Sequence, residues 1–150
     1  MKKVLSLCVM CLLTLSAMAQ KTVWVDLDLP SGTKWKSVNE SGFYSYESAI
    51  ENFGKYVPTK EQWQELIACC VWTWQEDGYR VTGNNGNSIF LPAAGDRSCD
   101  GNVYNVGSSG NYWSSTPYDS YNARLLGFYW CEVGMYTRER CLGHSVRLVQ

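Results

Sequence analysis

The sequence predicts an α+β fold, mainly an antiparallel sheet with two helices and a long irregular loop. Three observations lead there. One well-capped stretch has helical hydrophobic spacing, and the spacing drops to two directly after it. The dipeptides Asp77-Gly78 and Asn85-Gly86, both strong hairpin formers, punctuate that period-two tract. Nowhere do strands and helices alternate regularly, as a parallel sheet would require.

Taken in order, the first nineteen residues read as a secretory signal peptide. Lys2 and Lys3 form a basic start, Val4 to Leu15 is almost wholly apolar, and Ala17-Met18-Ala19 supplies small residues for cleavage before Gln20. The apolar run is shorter than the roughly 17–25 residues of a membrane span, and no later stretch is long enough either. Cys8 and Cys11 lack the small preceding residue of a lipid-modified cysteine. The chain is therefore expected to be exported, to the periplasm, the cell surface or the medium. Residues 20–150 are expected to form one domain.

Val23 to Leu29 alternates, with Val23, Val25, Leu27 and Leu29 on one face, and reads as a half-buried strand ended by Pro30-Ser31-Gly32. Tyr46 to Phe53 reads as a short helix closed at Gly54. Thr59 with Gln62 makes a capping box, and Trp63, Leu66, Ile67 and Cys70 then form one apolar helical stripe. Strands are expected over Val71 to Trp74, Tyr79 to Thr82 and Ser88 to Leu91, with Trp72, Trp74, Tyr79 and Phe90 packing across them. Pro92 to Gly110 is rich in Gly, Ser, Asn and Asp without period, so it reads as a long loop of the functional kind. Further strands are expected over Tyr112 to Thr116, Ala123 to Trp130 and Ser145 to Val149.

Composition excludes some classes. Without its two leader lysines the chain holds 11 basic against 14 acidic residues. Nucleic acid or an anionic membrane would call for a clustered basic excess. All seven Trp, ten Tyr and four Phe lie beyond the leader. That many aromatic side chains supply both a core and a recognition surface. Five cysteines remain, Cys69, Cys70, Cys99, Cys131 and Cys141, an odd number that leaves at least one unpaired in an oxidising compartment. Cys131 and Cys141 could form a clip or be unrelated. No CxxC pair supports a redox or zinc site.

Five blocks carry a resemblance. They are "WVDLDLPSGTKW" (24–35), "VPTKEQWQELIACCVWTW" (57–74), "VTGNNGNSIFLPAAG" (81–95), "NYWSSTPYDS" (111–120) and "GHSVRLV" (143–149). Together they look like the bacterial FISUMP (major paralogous domain) family. "PTKEQWQEL" and "SVRLV" also resemble the formylglycine-generating-enzyme-like branch of the C-type lectin fold. The resemblance implies a C-type-lectin-like domain whose chain ends meet in one antiparallel sheet and whose irregular second half faces ligands. Between Trp35 and Val57 the chain is shorter than the family's usual insertion.

Two further functions compete with binding on these residues. A calcium-dependent lectin would need converging oxygen ligands. The loop offers Asp96, Asp100 and Asn102, but neither an EPN nor a WND motif is present, and Trp113 is followed by Ser114-Ser115. An enzyme of the formylglycine-generating type would need a cysteine pair that no motif here supplies. His144, the single histidine, has no nucleophile motif such as GxSxG beside it, and Asp26 and Asp28 read as a solvated strand face. No enzyme activity, cofactor or metal is therefore expected.

The leading expectation is a non-catalytic binding or adhesion module for a protein or glycan on another cell or surface. Framework residues Ala123, Leu125, Gly127, Phe128 and Gly143 alternate with an unpatterned mixture rich in Tyr, Arg and Trp, the side chains that dominate binding hot spots. The candidate ligand-binding residues are Tyr121, Asn122, Arg124, Tyr129, Trp130, Glu132, Tyr136, Arg138, Arg140 and His144. This tract resembles the variable region of proteins diversified by retroelements, in which substitutions scatter over a fixed frame.

Overall fold

Asp28 turns the chain where alternation alone would carry the first strand onward. The computed structural model describes residues 22–150, so the expected signal peptide lies outside the described residues. Strand β1 (Trp24–Asp26) pairs antiparallel with β2 (Lys34–Lys36). Asp28 takes a positive φ of 59°, and its N–H donates to the Asp26 carboxylate at 2.9 Å, an Asx-type turn. The strand expected to reach Leu29 therefore stops three residues early. Leu27 and Leu29 still enter the core.

The helices form where local chemistry marks them. In α1 (Tyr46–Phe53) the Ser45 hydroxyl accepts from the Ser48 N–H. In α2 (Lys60–Cys69) the Thr59 hydroxyl accepts from the Gln62 backbone N–H while the Gln62 side-chain Oε1 accepts from the Thr59 N–H, a complete capping box. Trp63 and Leu66 are wholly buried, with Ile67 and Cys70 half-buried at the stripe's margin.

The meander follows as β3 (Val71–Gln75), β4 (Gly78–Thr82) and β5 (Ser88–Pro92), with β4 central. Trp74 lies opposite Tyr79 and Trp72 opposite Val81, so both tryptophans face the core edge-on to Tyr79. Phe90, expected with them, stands opposite Arg80 on the outer face. The tract expected to be a structureless loop holds a small hairpin, β6 (Asp96–Arg97) with β7 (Val103–Tyr104).

The second large sheet is β8 (Ser109–Pro117), β9 (Asn122–Tyr129) and β10 (Glu132–Glu139), with β9 in the middle. All eight residues of β10 pair with β9 across the two-residue turn Trp130-Cys131. β10 was not expected: the tract read as an unpatterned mixture is a regular edge strand. Ser145 to Val149, expected as a strand, is not one continuous ladder. His144 pairs with Tyr44 and Ser145 with β8, and Val149 then bridges to β2. The segment changes partner every few residues, which keeps any one ladder short.

Two cores lie on opposite faces of the β8–β9–β10 sheet. Tyr112, Leu126 and Phe128 point toward α2 and the meander, where Trp35 and Trp63 rings sit 4.5 Å apart. Trp113, Ala123 and Leu125 point toward α1, with Tyr46, Ala49 and Val57. Each fully buried large apolar side chain contributes about 1.5–3 kcal/mol. Arg147, 1% exposed, threads between the parts. Its guanidinium donates to Asn39 Oδ1, the Lys36 and Ser37 carbonyls and, at 2.6 Å, the Phe90 carbonyl.

The fold class is corrected accordingly. Strands make up 43% of the structure, in several small antiparallel sheets, and the two helices are only eight and ten residues long. The architecture is mostly β, where the sequence pointed to α+β and a C-type-lectin-like arrangement. Strands β6, β7 and β10 carry weak hydrophobic alternation, so the sequence pattern does not mark them. Of the cysteine alternatives left open by the sequence, Cys131 and Cys141 are unrelated: Cys99 bonds to Cys141, and Cys69, Cys70 and Cys131 are free thiols. Among the described residues no helix is long and apolar enough to cross a membrane.

Candidate functional site

Antiparallel register decides what faces outward on the second sheet. The face that buries Trp113 and Leu125 carries Ser109, Asn111, Tyr129 and Glu132 toward its other end, and Tyr136 and Arg138 on the edge strand opposite Leu125 and Ala123, because side chains alternate along each strand. Gly127 lies directly opposite Gly134 in the middle of this face, so the floor there has no side chains. A Cβ on Gly127 would stand 2.8 Å from Tyr136 Cδ2. The tyrosine ring has folded over bare backbone. The result is a cleft of about 380 Å³.

Its opposite wall comes from the tract between β5 and β8. Asp96 and Asn105 face the floor, with Leu142 and His144 at the base. Three devices hold this wall in place. Gly95 turns with φ 77°, and a Cβ there would meet the Tyr104 carbonyl at 2.0 Å. Arg97 and Gly143 exchange backbone hydrogen bonds of 2.8 and 2.7 Å. The Cys99–Cys141 disulfide then ties the hairpin to the segment leaving β10.

The polar groups are set in definite states. Tyr129 and Tyr136 hydroxyls both donate to the Glu132 carboxylate. These bonds hold Glu132 below the usual carboxylate range, push Tyr129 up to about 12 and raise Tyr136. Glu132 is thus an ionised acceptor flanked by two neutral phenols at neutral pH. Asn105 Nδ2 donates to Asp96 at 3.3 Å. Arg138 lies 5.9 Å from the Tyr136 ring centre.

His144 is 1% exposed, and its ring centre is 4.5 Å from that of Trp113. Neither ring nitrogen has a hydrogen-bond partner. Burial, reinforced by the nearby Arg138 charge, lowers its pKa to about 3, so the imidazole is neutral at ordinary pH.

The ten sequence-predicted residues divide. Tyr129, Glu132, Tyr136, Arg138 and His144 gather at the cleft. Tyr121, Asn122 and Arg140 lie at the other end of the sheet, around a second hollow. There Arg140 is a structural tie: it donates to the Asp119 carbonyl at 2.5 Å and the Asn122 carbonyl at 3.3 Å, and stacks 4.8 Å from the Tyr46 ring. The Asn122 backbone and side chain both donate to the Asp119 carboxylate. Arg124 points to the other face, over Tyr118 at 4.9 Å. Trp130 caps the β9–β10 turn, 70% exposed, and does not line the cleft.

Sequence reasoning missed Asn105, Ser109 and Asn111 as cleft residues. The only signal was the aperiodic polar tract that contains the first two. Of the three oxygen ligands considered for calcium, Asp96 faces the cleft. Asp100 and Asn102 close a turn around Ser98, whose hydroxyl donates to Asp100 and accepts from the Asn102 N–H at 3.1 Å. Among the described residues the one tight group of three metal-ligand side chains is Cys99, Glu139 and Cys141, and its two sulfurs are bonded to each other. No protein-family model, curated protein or solved structure matches the chain.

Proposed function

We propose that this chain is an exported, non-catalytic binding module that holds a protein or glycan ligand, displayed on another cell or surface, in the cleft of the β8–β9–β10 sheet. The observation that carries this is convergence. Five of the Tyr, Glu, Arg and His side chains singled out as recognition residues meet there, against a rigid sheet and a disulfide-held wall. Preorganised polar groups around a concave site favour binding, since little ordering remains to be done when the ligand arrives. A catalytic reading has less support, because no hydroxyl or thiol hydrogen-bonds to His144. The sequence resemblance to the FISUMP family and the leader-like first nineteen residues are in keeping with an exported recognition role.

The β9–β10 hairpin also bears on diversification. Tyr129, Glu132, Tyr136 and Arg138 share the cleft face, while Phe128, Val133 and Met135 turn to the core. Positions that could vary are thereby separated from positions that cannot, as a retroelement-diversified frame requires. A near-copy of the 3′ coding end beside a reverse transcriptase gene, differing at adenines, is the expected genomic sign.

The binding test uses a screen of immobilised glycans and cell-surface proteins with the chain and three variants. Glu132→Gln and Tyr136→Ala should lose binding, and Tyr121→Ala, at the far end of the sheet, should retain it. Loss with Tyr121→Ala alone would move the site to the second hollow.

A further inference from the structure

We infer that the cleft takes a neutral, hydroxyl-rich ring, a saccharide unit, without a metal ion, seated between the Glu132 carboxylate and the unpartnered His144 ring. This rests on the binding reading above and names the ligand class for that same cleft.

The first argument is the orphaned imidazole. Buried polar atoms in folded proteins almost always have partners. His144 is wholly buried, yet both ring nitrogens are free and the ring lines the cleft base. A neutral imidazole offers one N–H donor and one lone-pair acceptor. Its natural complement is a group that both donates and accepts. A hydroxyl does so at a single atom and an amide through two, while a carboxylate, phosphate or ammonium does only one.

The second argument is the company His144 keeps. Asn111 and Ser109 can each donate and accept. The charges are mixed, Asp96 and Glu132 against Arg138, so the cleft has no single-sign field to select an anion or a polycation. Glu132 is already oriented by two phenols and keeps further lone pairs for ligand hydroxyls.

The third argument is shape. The paired Gly127 and Gly134 backbone leaves room for the Tyr136 ring to lie over it, and that ring is the flat surface of the cleft floor. A pyranose lays its C–H face against such a ring and projects hydroxyls from its rim. At about 380 Å³ the cleft is small-molecule sized. An extended peptide pairing main chain to main chain would add to the outer edge of β10, beside the cleft and not in it. Here the floor strands are hydrogen-bonded to each other, and the wall is pinned by Arg97–Gly143 pairing.

The chain has one histidine, so its ring nitrogens give a single reporter in a long-range ¹H–¹⁵N NMR spectrum. Methyl glycosides of glucose, mannose, galactose and N-acetylglucosamine would be titrated in EDTA to about 100 mM, enough to see even millimolar affinity. A tryptic digest of unglycosylated serum albumin would be titrated in parallel. The expected result is that at least one glycoside shifts the His144 ring signals and the Gly127 and Gly134 amides saturably. Glu132→Gln and Asn111→Ala should each weaken that glycoside by about tenfold, with the remaining amide spectrum unchanged.

If no glycoside moves the His144 ring, the inference is overturned. If the peptide digest alone moves the cleft signals, the binding reading survives and the saccharide class falls. Shifts confined to residues outside the cleft would sink both, and shifts that need calcium in place of EDTA would overturn the metal-free form.

Discussion

His144 illustrates how a single side chain acquires a state that its neighbours in sequence do not set. Unfolded, it titrates near 6.5; in the fold its pKa is about 3, because burial disfavours the charged ring and Arg138 adds repulsion. Below 6.5 the unfolded chain takes up a proton that the folded chain refuses. Stability should therefore fall as pH drops from 6.5 toward 3, with a histidine contribution approaching about 1.4 kcal/mol per pH unit. Above 6.5 that contribution is complete and flat. Urea unfolding at pH 7, 6, 5 and 4.5 checks this against His144→Gln, which should show a shallower slope. Equal slopes would mean that the ring is not held neutral. Tyr136→Ala should cost about 2 kcal/mol of ligand affinity and about 1–2 kcal/mol of stability, since its ring covers Gly127. At this scale the sequence was legible where chemistry is local. Thr59 and Gln62 marked their cap because both partners lie three residues apart. The surroundings of His144 come from Tyr44 and Trp113, far away in sequence, and no local signal announces them.

Elements were legible when one face met the core and the other met water. β3, β4 and α2 satisfy that condition, and the structure places them within a residue or two of expectation. β10 does not, because its outward face carries Tyr136 and Gly134 and its inward face ends in Thr137, so apolar and polar residues fail to sort. The hairpin β6–β7 is only two residues a side and is positioned by other means. Chief among these is the disulfide, whose 42-residue separation lies beyond any spacing rule. Replacing Cys99 and Cys141 by Ser should lower stability by about 2–4 kcal/mol, because a long loop is no longer closed in the unfolded chain. It should also free the Asp96–Asn105 wall and weaken ligand binding. Thermal unfolding of wild type with and without a phosphine reductant provides the comparison. The double variant should be insensitive to the reductant if Cys99–Cys141 is the bond responsible. Native-state alkylation followed by peptide mass spectrometry should label exposed Cys131 first. Cys70 should lag, since burial pushes its thiol up to about 11 and leaves little thiolate.

The whole molecule is organised by one sheet with a core on each face, and this is why its class was hard to read. Each core draws on segments from both halves of the chain, so the order of elements says little about which layers they join. Two residues expose the arrangement. Phe128, 2% exposed, packs against Trp72, Trp74, Tyr79 and Tyr112 in the larger core. Phe128→Ala should cost about 3–5 kcal/mol as a cavity opens there. Arg147 does something different, because its four acceptors belong to β2, the segment after it and β5, and it carries no apolar load. Burial lowers its pKa to about 10, which leaves it charged at neutral pH, so those acceptors satisfy a buried cation. Arg147→Leu keeps volume but orphans Asn39 Oδ1 and three carbonyls, and should cost about 3–5 kcal/mol. Arg147→Lys should recover only part of that, because a point ammonium cannot serve the spread of positions a planar fork reaches. If Arg147 couples the parts, the wild type should unfold in one transition seen alike by tryptophan fluorescence and far-ultraviolet circular dichroism. In Arg147→Leu the two probes should separate, as β1, β2 and the last segment release before the sheet does. Coincident curves in the variant, merely shifted to lower urea, would make Arg147 an ordinary stabilising residue of one indivisible core.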